Sequence, residues 1–291
     1  MDARRIAELL EPFLAAKDPI PSIQDLIPRI STYIDLLLRW NARINVTAVR
    51  DPEEIVTRHF GESLFAARHL FPNRFHVGTA ALGCPAERSS PAMCREVAEQ
   101  ETVNREQSEP QSGDRLQPTA QAVGEQGKMG KLRRSERNGG PASPTTDGQR
   151  PTTGHQPPRL ADVGSGPGFP GLPIKLWAPD ISLTLIESNH KKATFLREVT
   201  RALTLTDVDI RTARAESLPR AAFDTVTLRA VEQFAQILPT VAALVRPQGR
   251  LALLIGSSQV LQAKSTLPSV IWDNPRSIPL SRSRVLLTAI M

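Results

Sequence analysis

The stretch Ala161 to Pro173, ADVGSGPGFPGLP, sets Gly164, Gly166 and Gly168 at alternate positions behind Asp162, directly after a short apolar run. An apolar run that gives way to glycines and then to a helical pattern is a strand turning into a helix. Glycines there let the backbone turn sharply and approach a ligand with no Cβ in the way. A tight turn in an ordinary α/β domain is the plainer account. Spacing discriminates among ligands: Gly-x-Gly-x-Gly is not the Gly-x-Gly-x-x-Gly of dinucleotide folds, and no Gly-Lys-Ser/Thr follows to make a Walker phosphate loop.

Around this stretch, apolar strand-like runs alternate with helical ones. Strands are expected at Leu160–Val163, Leu183–Ile186, Val208–Thr212, Phe223–Leu228, Arg250–Ile255 and Val285–Ile290, with helices at Lys191–Leu203 and Val231–Val245. Such alternation implies right-handed crossovers and a mostly parallel sheet covered on both faces. Ligands of that architecture bind at the carboxyl ends of the strands.

Three segments separate by composition. Residues 1–73 read as a helical module: Ile30, Ile34, Leu37 and Leu38 recur at helical spacing, and Ile55, Phe60 and Leu64 suggest a second face. Asp51-Pro52-Glu53-Glu54 is a helix start, with Asp as N-cap and Pro at the first helical position. Residues 74–158 are rich in Gly, Pro, Ser, Thr, Gln and Arg without sustained period, so disorder is expected there. Residues 159–291 carry the glycine stretch. They also hold the whole charge excess, 16 Lys+Arg against 10 Asp+Glu in a chain of net charge +6, which makes a nucleic-acid partner plausible. The two cysteines, Cys84 and Cys94, fall in the middle segment and support neither a disulfide framework nor a metal site. With no long apolar run, the expected setting is cytoplasmic, without membrane or metal, and the expected state is a monomer.

The form Asp-x-Gly-x-Gly-x-Gly resembles motif I of S-adenosylmethionine-dependent methyltransferases. Two acids test that resemblance. LTLIES puts Glu187 at the end of the second strand, where a carboxylate would accept hydrogen bonds from ribose hydroxyls. A dehydrogenase carries a similar acid, and a solvated residue capping the next helix is the plainer alternative. RAESL places Glu216 where methyltransferases keep a residue beside the adenine. After the fourth strand, Arg229 stands at the carboxyl end, either as a free surface arginine or as a cation facing the cofactor carboxylate or a substrate phosphate.

Several phrases then converge. LLLRWNARINVTAVRDPEEIVTRHFGESL, DVGSGPGFPGLPIKLWAPD, LTLIESNHKKATFLREV, RAESL and FDTVTLRAV together resemble the RsmG (GidB) family, bacterial methyltransferases of small-subunit ribosomal RNA. The resemblance implies a class I, Rossmann-like, α/β methyltransferase with an N-terminal helical extension, here interrupted by the insertion at 74–158. It implies methyl transfer from S-adenosylmethionine to N7 of a guanine in 16S rRNA, with the RNA or its ribosomal particle as partner. By motif position Gly164, Gly166, Gly168, Phe169, Glu187, Ala215, Glu216 and Arg229 are the cofactor-binding residues. No residue is assigned as catalytic, because guanine N7 has an in-plane lone pair and no proton to lose; the tasks are positioning and tolerating the charge that develops. His59 either faces the pocket or packs. Three features depart from the pattern: the insertion, Gly61-Glu62, and Ile255 where relatives usually have lysine. They leave open an alternative, a relative that binds RNA or cofactor without methylating.

Overall fold

The structure, a computed structural model, describes residues 1–14, 21–72, 156–230 and 233–291. The expected insertion falls outside the described residues up to residue 155, and so do both cysteines.

The chain begins with α1 (Ala3–Leu10) and α2 (Pro21–Asn41), followed by α3 (Pro52–Glu54), a π-helical stretch Ile55–Gly61 and α4 (Glu62–Leu70). Asp51 caps α3 as its sequence predicts: Oδ2 accepts from the Glu54 amide at 2.7 Å, with Pro52 at the first helical position. The alternating part runs β1 (Arg159–Val163), α5 (Gly171–Trp177), β2 (Ser182–Ile186), α6 (His190–Ala202), β3 (Val208–Arg211), β4 (Phe223–Arg229), α7 (Phe234–Leu244), β5 (Val245–Gly256), α8 (Gln259–Thr266), β6 (Ile271–Trp272), β7 (Arg276–Ser277) and β8 (Arg284–Ile290). All six expected strands are present. β5 starts earlier than expected, at Val245, so the residue expected to end a helix opens a strand.

The sheet order is β3-β2-β1-β4-β5-β8-β6, with β7 also on β8. The first five strands are parallel, and β8 lies antiparallel to β5. Strand order reverses between β1 and β4, which opens a crevice at their carboxyl ends. This is the class I, Rossmann-like methyltransferase arrangement.

Alternation along each strand feeds two cores. Leu160, Leu183 and Leu185 join the core built with Ile6, Ile30, Tyr33, Phe60 and Leu64 of the N-terminal helices. Ala161, Val163, Val226 and Leu228 join the opposite one, under Leu238 and Val241 of α7. The helical segment therefore covers one face of the sheet, and each fully buried Leu, Ile or Phe contributes about 1.5–3 kcal/mol. Leu38, grouped with Ile30, Ile34 and Leu37 by spacing, is only partly buried. Directed hydrogen bonds add to the packing. Trp40 Nε1 donates to Glu198 Oε2 at 3.0 Å, and Trp177 Nε1 and Arg250 Nη1 donate to the carbonyls of Phe71 and Leu70 at 3.2 and 3.3 Å.

Candidate cofactor cleft

Gly164, Gly166 and Gly168 have φ of +66°, +55° and +93°, the left-handed region that side chains rarely enter. The three glycines thus serve the backbone path itself. The amides of Gly164 and Ser165 donate to the Ile186 carbonyl at 2.9 and 3.1 Å, tying the loop to β2. Asp162 lies beneath it, fully buried: Oδ1 accepts from Thr227 Oγ1 at 2.9 Å and Oδ2 from the Gly171 amide at 3.1 Å. Burial pushes its carboxyl up to about 7, against the opposing pull of those hydrogen bonds. From the other side Tyr33 of α2 donates to the Pro167 carbonyl. A Cβ on Gly168 would meet the Tyr33 hydroxyl and would lie 2.5 Å from Leu172 Cδ1, so the loop and the N-terminal helices are fitted to each other.

Beside the loop opens a cleft of about 450 Å³, within the range of small-molecule sites. Four of the expected residues line it: Gly164, Glu187, Ala215 and Glu216. Glu187 is 7% exposed, so it is no solvated cap. Its Oε2 accepts from the Gly166 amide at 2.8 Å and its Oε1 from the Asn189 amide at 2.7 Å, which fixes the carboxylate and leaves lone pairs for further donors. The wall opposite is built by Gln233, Gln236 and Ile237 at the start of α7, together with Arg214. None of these four was singled out from sequence; only the place of Arg214, just before Ala215-Glu216, marked it.

The other expected residues stand elsewhere. Gly166, Gly168 and Phe169 belong to the loop but not to the cleft wall. Phe169 is buried in an aromatic cluster, stacked on Tyr33 (centroids 5.3 Å, planes 9° apart) and on His59 (4.7 Å, 24°), with Phe60 edge-on at 5.0 Å. Arg229 is neither a free surface arginine nor a cleft cation, and both expectations are corrected by one contact set. Its side chain is 8% exposed and turned into the helical segment: Nη2 donates to the Arg58 carbonyl at 2.6 Å and to Glu62 Oε2 at 3.1 Å. Nη1 lies 3.2 Å from His59 Nδ1. A guanidinium can only donate, so Nδ1 accepts and Nε2–H donates to Thr47 Oγ1 at 2.9 Å. Burial, followed by Arg229, holds the His59 imidazole down to about 2, hence neutral. The packing alternative for His59 is the one realised.

The family described as rRNA small subunit methyltransferase G (GidB) matches residues 26–86 and 150–275. The chain belongs to this family. Among GidB relatives, a ribosomal RNA small subunit methyltransferase G of Sorangium cellulosum (strain So ce56) is 42% identical over 118 residues, 39% of this chain and 48% of that protein. Its namesake in Xylella fastidiosa (strain 9a5c) is 28% identical over 77% of this chain and 66% of that protein. The chain thus spans about half to two thirds of the length of these relatives. A solved SAM-dependent methyltransferase from Aquifex aeolicus overlaps 46% of this chain and 81% of that one, at TM-score 0.40 and 14% identity. Among the described residues no group of acidic, histidine or cysteine side chains is placed to hold a metal ion, and no helix is long and apolar enough to cross a membrane.

Proposed function

We propose that this protein transfers a methyl group from S-adenosylmethionine to N7 of a guanine in 16S rRNA. The carrying observation is that Gly164, Glu187, Ala215 and Glu216, four residues spread over three loops, line one cleft at the strand reversal of a GidB-family chain.

The residues present fit the cofactor. Glu187 offers fixed acceptors for a ribose diol, Ala215 and Glu216 flank a space for the adenine, and the Gly164 backbone leaves the loop side free of a Cβ. When bound, the cofactor supplies an electrophilic methyl on a sulfonium. The guanine N7 that would receive that methyl has an in-plane lone pair and no proton for the chain to remove. The chain's task is therefore to hold the guanine in line, with no general base. Gly166, Gly168 and Phe169 support the reading from behind, by setting the loop's path, and Arg229 by docking the helical segment.

Ile255 does not favour the non-methylating alternative. It is a core residue, 3% exposed and paired with Val285, and the cleft is intact. The protein acts as a cytoplasmic monomer on the RNA or its particle. Calorimetry of S-adenosylmethionine binding, followed by methyl transfer to unmodified small-subunit RNA with mapping of the product, tests the reading. A folded wild type that binds no cofactor would overturn it.

A further inference from the structure

A second pocket, of about 230 Å³, lies between the π-helical stretch and the loop leading into β8; Thr57, Arg58, Glu62, Ser281, Arg282 and Arg284 are in its lining. Its charge is unbalanced. Glu62 is its one acid, and both carboxylate oxygens are engaged, Oε2 by Arg229 at 3.1 Å and Oε1 by Arg284 Nε at 2.9 Å. Arg58 pairs with Glu54, but both side chains are about half exposed, so that pair is weak and can open. Arg282 is exposed and makes no hydrogen bond or ion pair among the described residues. Ser281 Oγ accepts from the Arg284 amide at 3.1 Å, leaving its own hydrogen to donate. Such a set of guanidiniums and a hydroxyl matches a tetrahedral oxyanion.

Position narrows the ligand. Arg284 pairs with Gly256, the last residue of β5, and Arg229 ends β4, so the pocket opens at the same edge of the sheet as the cofactor cleft. Glu62 of this pocket is held by Arg229 at the end of β4. We propose that the pocket is a subsite for a backbone phosphate of the RNA, engaged by Arg58, Arg282 and Ser281 while the base lies toward the cleft. This inference rests on the proposed methyl transfer to RNA.

The test uses the full chain with Arg282→Gln, the double variant Arg58→Gln/Arg282→Gln, and a control, Arg201→Gln, at the far end of α6 on the opposite edge of the sheet. Cofactor affinity is read by calorimetry, kcat and KM on unmodified small-subunit RNA, and RNA binding against potassium chloride. For the double variant, RNA KM and Kd should rise about tenfold. The slope of log affinity against log salt should flatten by about 1. Cofactor Kd, kcat and the control should stay at wild-type values. Unchanged RNA affinity and salt slope would overturn the subsite, as would an equal loss in the control, which would signal a diffuse basic surface. If the wild type binds no cofactor, the functional reading fails separately, and the salt dependence still decides the pocket.

Discussion

Glu187 and Arg229 stand in equivalent places, one just beyond β2 and the other ending β4, the two strands that flank β1. Both are charged and nearly buried, at 7% exposure for the residue and 8% for the side chain respectively. Yet Glu187 faces an open cleft with acceptor capacity to spare, whereas Arg229 directs its two terminal nitrogens to Arg58, His59 and Glu62 of the helical segment. The strand end decides where a charge is placed. What packs over it decides whether a ligand can reach it.

The comparison breaks most easily at Arg229. Replacing it with Gln strands part of a buried ion pair, and thermal or denaturant unfolding should show a loss of about 3–5 kcal/mol. Cofactor affinity measured below the transition should stay within about twofold, because the side chain does not line the cleft. A stable Arg229→Gln protein that no longer binds cofactor would reverse the two roles. Gly164→Asp acts on the other region. It forces a side chain onto φ +66° at the cleft wall. Calorimetry should show at least about 100-fold weaker cofactor binding, given the strain and the blocked space.

Glu187→Gln is gentler. One amide oxygen can still accept, but the loop loses a paired acceptor, so cofactor Kd should rise about tenfold and stability fall by about 1 kcal/mol. Equal effects of Glu187→Gln and Arg229→Gln on cofactor affinity would erase the distinction. A further effect concerns pH. Asp162, held up to about 7 from 3.8, keeps its proton in the fold over a range where the unfolded chain has lost it. Its contribution is complete below about pH 4 and disappears as pH rises through about 7. His59, held down to about 2 from 6.5, works oppositely: its contribution is complete above pH 6.5 and is lost on acidification. The melting point of Asp162→Asn, measured relative to wild type, should therefore climb between pH 5 and 7.5. A constant difference would mean that Asp162 does not titrate in that range.

The strands were legible because each is a short apolar run bounded by turn residues, and the glycine loop because its left-handed backbone admits little else. Asp51 capped α3 through a bond to a residue three positions away, a local event that sequence can carry. The misplacements share the opposite property. Phe169 and Arg229 are claimed by Tyr33, His59 and Glu62, more than a hundred positions distant, and no local pattern encodes which helix crosses a strand end. The π-helical stretch was equally hidden, since its residues show ordinary helical spacing. Gln233 and Gln236 reach the cleft only because α7 begins beside β4, and uncharged amides carry no advance signal of such a role.

Around the long middle segment, each flanking end has its own attachment. Trp177 and Arg250 hold the carbonyls of Phe71 and Leu70 on the outgoing side. On the returning side, the Arg159 amide donates to Asp224 Oδ2 at 2.6 Å and the Pro158 carbonyl accepts from Ser182 at 2.9 Å. Neither attachment uses the other. Between two independent anchor points, added chain length raises the closing entropy only logarithmically. The two ends of the described frame are thus held where they leave and re-enter it, each by bonds that the segment between them does not make.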